Sequence, residues 1–170
     1  MVRVIELFAG IGACSQALTN LGIPHEIVDA VEIDSYAIRS FNAIHHTNFE
    51  PQDITLWDKN IDVDLICGGF PCQDVSIAGK QAGIVNGKTR SGLMYEMMRI
   101  IKKLKPRYVI AENVKNILSG KHREQLKEFL RFLSDNGYSV TMDMLNSKDY
   151  GVPQNRERVF IVGVRDVEED

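Results

Sequence analysis

The residue best placed for chemistry is Cys72, in the run Gly68-Gly69-Phe70-Pro71-Cys72-Gln73. Proline fixes its own φ and biases the preceding residue toward an extended conformation, so Pro71 holds the thiol in a set direction. A single cysteine is more often a small buried hydrophobe, and Cys67, inside an apolar stretch, fits that description. Cys72 stands in a polar, glycine-flanked loop, where a thiolate can serve as a nucleophile. Near the start of the chain, Phe8-Ala9-Gly10-Ile11-Gly12 follows a strand pattern and opens a helix pattern, so backbone N–H groups can come close to a ligand. The third glycine of the dinucleotide fingerprint is missing, since Ser15 stands there. Glu32 ends the second strand pattern, where a carboxylate can accept hydrogen bonds from both ribose hydroxyls of an adenosine. Asp53, in Gln52-Asp53-Ile54, can accept from the adenine amino group. Each acid alone reads equally well as a helix cap or a loop charge, but at the ends of successive strands they form an adenosine pocket. The spacing leaves a nicotinamide dinucleotide and S-adenosylmethionine both open.

Strand and helix patterns alternate along the whole chain, the signature of an α/β fold with a mostly parallel sheet. Strands are expected from Arg3 to Phe8, Glu26 to Val31, Asp64 to Cys67 and Tyr108 to Ala111. Helices are expected from Ala13 to Leu21, Ser35 to His45, Gly92 to Leu104 and His122 to Asp135. Pro106 stops the third helix, whose Leu93, Met97, Ile100 and Ile101 share one side. Tyr138 to Leu145 and Val159 to Val164 read as two strands joined by a polar loop, and adjacent strands without a crossover helix pair antiparallel. The stretch from Phe70 to Arg90 carries Gly79, Gly83 and Gly87 and has no clear period. It starts at the carboxyl end of a strand, where open α/β sheets place their ligands.

With 44% hydrophobic and 25% charged residues, the 170-residue chain fits one globular domain with a real core. No apolar run approaches the roughly 20 residues that cross a bilayer, which points to an intracellular protein without membrane contact. Three cysteines, Cys14, Cys67 and Cys72, show no C-x-x-C pair, so neither a disulfide framework nor a metal site is expected. The net charge of −3 argues on its face against nucleic-acid binding. The average hides a pattern: Lys and Arg stand 3 against 11 acids over residues 1–79, 13 against 4 over 80–131, and 4 against 8 over 132–170. Most of the central lysines read as solvated helix faces. Lys80, Lys88 and Arg90, beside the Cys72 loop, are the candidates for phosphate contact.

Phe8 to Gly12, Phe70 to Gln73, Glu112-Asn113-Val114 and Gln154-Asn155-Arg156-Glu157-Arg158 occur in the order and spacing that resemble C5-cytosine DNA methyltransferases. Lys80-Gln81-x-Gly83 and Tyr150-Gly151-Val152-Pro153 extend the resemblance over nearly the whole chain. It implies a Rossmann-like S-adenosylmethionine-dependent methyltransferase fold with an antiparallel terminal hairpin. The implied cofactor is S-adenosyl-L-methionine, with S-adenosyl-L-homocysteine as product, and the implied substrate is cytosine in DNA. Cys72 would add to C6 of the base and Glu112 would relieve the ring charge near N3. Arg156 and Arg158, two apart on an extended segment, point the same way and would reach the base carbonyl and the neighbouring carboxylate. The cytosine must be flipped out of the duplex to be reached. Gln73, Ser76, Lys80 and Arg90 of the loop would contact the DNA. The resemblance places Phe8, Gly10, Ile11, Gly12, Glu32, Ile33, Asp53, Ile54, Pro71 and Leu93 around the cofactor.

Single-chain members of that family continue past the Gln-x-Arg-x-Arg segment into a target-recognition domain and a final motif that packs back on the cofactor pocket. The sequence stops at Asp170. The expectation is therefore one catalytic, cofactor-binding domain over residues 1–170, bacterial or phage-encoded and cytoplasmic, in a split or truncated enzyme. A second polypeptide would carry the recognition domain. Two alternatives stand beside it: a non-catalytic module that binds DNA or a partner, and a transfer-RNA methyltransferase. Intact Cys72, Glu112, Arg156 and Arg158 argue against the first, and Phe70 before Pro71-Cys72 resembles the DNA branch.

Overall fold

The computed structural model describes residues 1–71 and 92–166. Cys72, Gln73, Ser76, Lys80 and Arg90 lie outside the described residues. Six strands form one sheet: β1 (Val2–Leu7), β2 (His25–Val31), β3 (Leu65–Gly68), β4 (Tyr108–Val114), β5 (Tyr138–Asn146) and β6 (Glu157–Arg165), in the order β2-β1-β3-β4-β6-β5. The pairs β1·β2, β1·β3 and β3·β4 are parallel, while β6 runs antiparallel to both β4 and β5. Thus only β6 runs against the others, which is the mostly parallel sheet with an antiparallel terminal hairpin that the sequence implied.

Four helices connect these strands: α1 (Ala13–Asn20), α2 (Ser35–His45), α3 (Gly92–Leu104) and α4 (Arg123–Asp135). Asp34 caps α2, its side chain accepting from the N–H groups of Tyr36 and Ala37. The apolar stripes of α3 (Met94, Met97, Ile100, Ile101) and α4 (Leu126, Phe129, Leu133) pack with Val109, Ala111, Val159 and Ile161 in the main core, all 4% exposed or less. Such residues each contribute about 1.5–3 kcal/mol by burial, enough for the stripes to fix where both helices lie. A smaller cluster joins Cys14 and Leu18 of α1 to Val4, Leu65 and Cys67.

Two expectations need correction. No strand precedes Asp53: among the described residues the segment from α2 to β3 has no regular element except a 3-10 turn at Ile54–Leu56. Its backbone is held by side chains and single contacts, with Asn42 bonded to both N and O of Phe49, and Gln52 N donating to Glu32 O at 2.8 Å. Cys14 and Cys67, expected as free thiols, are joined as a disulfide with their Cα atoms 6.6 Å apart, because α1 packs its first turn across β3.

Candidate active site

The glycine turn after β1 uses backbone conformations that most residues avoid. Phe8, Gly10 and Gly12 have φ values of 53°, 54° and 86°. An ideal Cβ on Gly12 would fall 2.1 Å from His45 Nε2 and 2.7 Å from Phe41 Cε2, so α2 packs directly on this glycine. His45 Nε2 also lies 3.0 Å from Ile11 O. A Cβ on Gly10 would meet nothing within 4 Å, so open space lies above that residue. Glu32, just past β2, accepts from Gly10 N with one carboxylate oxygen and from Asp34 N with the other, both at 2.9 Å. Each oxygen keeps a second lone pair for a ligand hydroxyl. Asp53 caps its turn by accepting from Thr55 N and Oγ1.

Glu32 ties two segments together: its side chain accepts from Gly10 N in the glycine turn, and its carbonyl accepts from the N–H of Gln52, the residue before Asp53. Ile11 and Ile33 flank this region at 57% and 69% exposure. Ile54 is different, since its side chain lies in the main core, and Leu93 packs against the same core. What those two offer a ligand directly is limited to whatever they leave uncovered.

A cavity of about 780 Å³ runs from Phe8 and Ala9 past Gly68 and Gly69 to Glu112, Arg156 and Arg158. Glu112, in β4, pairs with Arg158 of β6, Nε to Oε1 at 2.9 Å, with the side chains 33% and 23% exposed. Gly69 makes room for this pair, because a Cβ there would lie 2.8 Å from Glu112 Oε2. Arg156 is exposed, and its backbone N donates to Asn146 Oδ1.

Sequence reasoning named Asn113 only as a member of the Glu112-Asn113-Val114 motif and assigned it no part of its own. It is 3% exposed, and its Nδ2 donates to Phe70 O at 3.0 Å while its Oδ1 accepts from Val114 N at 2.8 Å. The Phe70 ring packs on Phe129 at a centroid distance of 5.2 Å. The backbone entering Pro71, directly before Cys72 in sequence, is therefore fixed by a buried amide and a buried ring. Its neighbour Glu112 serves the cavity while Asn113 serves the core, as alternation along a strand requires.

The model for C-5 cytosine-specific DNA methylases matches residues 2–169. The chain belongs to that family. It is 40% identical over 169 residues to an orphan methyltransferase, M.Rho11sI, of Bacillus phage rho11s, covering 97% of this chain and 33% of that protein. It is 34% identical over 226 residues to the type II methyltransferase M2.ScrFI of Lactococcus lactis subsp. cremoris, covering 100% of this chain and 63% of that one. A solved structure of a Spodoptera frugiperda DNMT2 mutant superposes with a TM-score of 0.81 at 26% identity, covering 97% of this chain and 50% of that chain. The chain spans between a third and two thirds of the length of these relatives. Among the described residues no helix is long and apolar enough to cross a membrane.

Proposed function

We propose that residues 1–170 are the catalytic, S-adenosylmethionine-binding domain of a DNA cytosine-C5 methyltransferase. The Glu112–Arg158 pair over Gly69 carries this reading, because it lines the same cavity as Phe8 and Ala9, which lead into the glycine turn, and Glu112 stands one residue from the amide that holds the backbone entering Pro71. The residues fit the cofactor: the open space above Gly10 accepts a ligand, and the acceptors Glu32 and Asp53 suit the donors of an adenosine. When bound, the cofactor supplies an electrophilic methyl group.

Cytosine C5 is a poor nucleophile. Cys72 forms a bond to C6 with its thiolate pair, which moves ring electron density to C5 and toward N3. Glu112 relieves that charge by sharing a proton at N3, and Arg158 keeps the carboxyl aimed. Arg156 offers a further donor from the same segment. After C5 is methylated its proton leaves to water, the C5–C6 double bond returns and the C6–S bond breaks, restoring Cys72. Gln73, Ser76, Lys80 and Arg90 contact the DNA around the flipped base.

In this reading a second polypeptide supplies target recognition. Phe160 and Val162 line the cavity, and Val162 is 36% exposed, which supports a covering segment or partner. The test uses labelled S-adenosylmethionine with DNA and, in parallel, transfer RNA, with the chain alone and with a complementary half from a relative. Methylation of DNA only with the half present, lost in Cys72→Ala, is expected. Site-specific methylation by the chain alone would remove the partner, while inactivity with every matched half would leave a binding module.

A further inference from the structure

Asp29 of β2 is 1% exposed, and a buried carboxylate is costly unless fully hydrogen-bonded. Its Oδ1 accepts from Gln52 Nε2 at 2.7 Å and Ala30 N at 3.0 Å. Its Oδ2 accepts from Trp57 Nε1 at 2.8 Å and Lys59 Nζ at 2.7 Å. Three of these donors belong to the irregular segment between α2 and β3. Asp53 and Ile54 lie between Gln52 and Trp57, so both ends of that stretch are fastened to one carboxylate. Gln52 is tied again through Nε2 to Ala30 O at 2.9 Å. The Asp53 side chain bonds only within its own turn, to Thr55, among the contacts described, and the residue's carbonyl accepts from Leu56 N in the same turn. Its place relative to Glu32 therefore depends on what holds residues 52 to 57: the Asp29 bonds at both ends and, between them, Ile54, buried in the main core and accepting through its carbonyl from Arg99 Nη2 at 3.0 Å.

We propose that Asp29 is a positioning residue for the adenosine subsite, fixing Asp53 beside Glu32 without touching the ligand. This rests on the reading that Glu32 and Asp53 hold the adenosine. Charge-assisted bonds to an ionised carboxylate are about twice as strong as neutral ones, which suits a clamp on a segment lacking backbone ladders. The clamp carries its own reporter, since Trp57 is the single tryptophan of the chain and is 3% exposed.

The experiment titrates the full chain with S-adenosylhomocysteine and with adenosine by calorimetry, and records Trp57 emission and its quenching by acrylamide. Asp29→Leu is expected to weaken both ligands by about tenfold or more, a loss of about 1.4 kcal/mol, and to make Trp57 more quenchable. Asp29→Asn, which keeps the shape and one acceptor, is expected to fall between. Leu133→Ala, at a fully buried position on α4, serves as a control of lowered stability and is expected to keep both affinities and the wild-type emission. Should Asp29→Leu fail to fold, Gln52→Ala removes one arm of the clamp and is expected to weaken adenosine severalfold. Unchanged affinity beside altered emission would overturn the proposal, as would an equal loss in Leu133→Ala. A wild-type chain that binds neither ligand would overturn the adenosine reading itself, and with it the role given to Asp29.

Discussion

Replacing Asn113 with aspartate tests the link between the core and the loop entry with almost no change of shape. The wild-type amide donates to Phe70 O at 3.0 Å and accepts from Val114 N at 2.8 Å. Asn113→Asp keeps the second bond and turns the first into two facing acceptors. Leaving the buried Phe70 carbonyl without its donor costs about 1–3 kcal/mol. Keeping a carboxylate ionised at a 3%-exposed position adds a desolvation cost, which the variant escapes by binding a proton, at about 1.4 kcal/mol for each pH unit above its normal pKa. The two costs are alternatives, since the protonated group donates to Phe70 O again, and protonation about three pH units above a normal carboxyl pKa caps the loss at pH 7 at about 4 kcal/mol, which in a domain of this size lowers Tm by about 8–16 °C. A carboxyl whose pKa is raised by folding binds more protons in the folded state. Its destabilisation is therefore largest at neutral pH and shrinks toward pH 5, where the protonated group can donate to Phe70 O again. Urea unfolding followed by Trp57 emission at both pH values measures this, with Asn113→Ala as a comparator whose loss does not depend on pH. Equal midpoints for wild type and Asn113→Asp, or a loss independent of pH, would refute the bond from Asn113 Nδ2 to Phe70.

The Glu112–Arg158 pair is partly exposed, so a double-mutant cycle with Glu112→Gln and Arg158→Met is expected to show a coupling of about 1 kcal/mol in stability. Strict additivity in urea unfolding would show the pair to be independent. Gly10→Ala is expected to cost only about 1 kcal/mol of stability, from its positive φ, while weakening cofactor binding in calorimetry. Gly12→Ala, whose Cβ would collide with His45 and Phe41, is expected to cost several times more, and equal melting temperatures for the two variants would contradict the packing described. Tyr138 donates to Pro106 O at 2.6 Å, and burial holds its hydroxyl above the usual tyrosine pKa. The folded state thus keeps this proton longer than the unfolded chain, so the contribution is full below about pH 10 and fades as pH rises further. Tyr138→Phe should lose about 1–3 kcal/mol at pH 7 and show a shallower alkaline decline, and an unchanged alkaline limb would count against the bond.

How much of this was legible in the sequence depended on the range of the forces involved. The C-terminal bound of α3 matched at Leu104, because a periodic apolar stripe and Pro106 are local signals. β4 runs three residues past the expected Ala111, to Val114. Glu112 and Asn113 break the apolar run, and only the ladder to β6, ending at Val114 opposite Arg158, keeps them in the strand. The motif residues around Gly10, Glu112 and Arg158 were named from spacing and resemblance, and the structure brings them to one side of the sheet. Asp53 was expected at a strand end and caps a 3-10 turn instead, since a short apolar-polar run cannot distinguish the two. The Asp29 clamp had no local signal at all. Its side-chain donors are 23 to 30 residues away, and a lone acid in a strand pattern looks like any exposed position until the chain folds over it.

The two sides of β4 and β6 are finished to different degrees, and on the proposed reading that difference decides which side can carry the chemistry. Val109, Ala111, Val159 and Ile161, on the side of α3 and α4, are 1% exposed or less. Their neighbours Ile110, Glu112, Arg158, Phe160 and Val162 point the opposite way and line the cavity. A close-packed side holds the strands at fixed spacing, so groups projecting from the other side can be aimed without being buried. Glu112 and Arg158 use that rigidity, since their backbones are locked by β4·β6 pairing while their side chains stay open to a ligand. Phe160 and Val162 continue the same row away from the site, where no charge is needed and apolar contact is all they can offer. The row thus changes from polar at the Glu112 end to apolar at the Val162 end. That gradient suits a base edge at one end and a packed covering segment at the other.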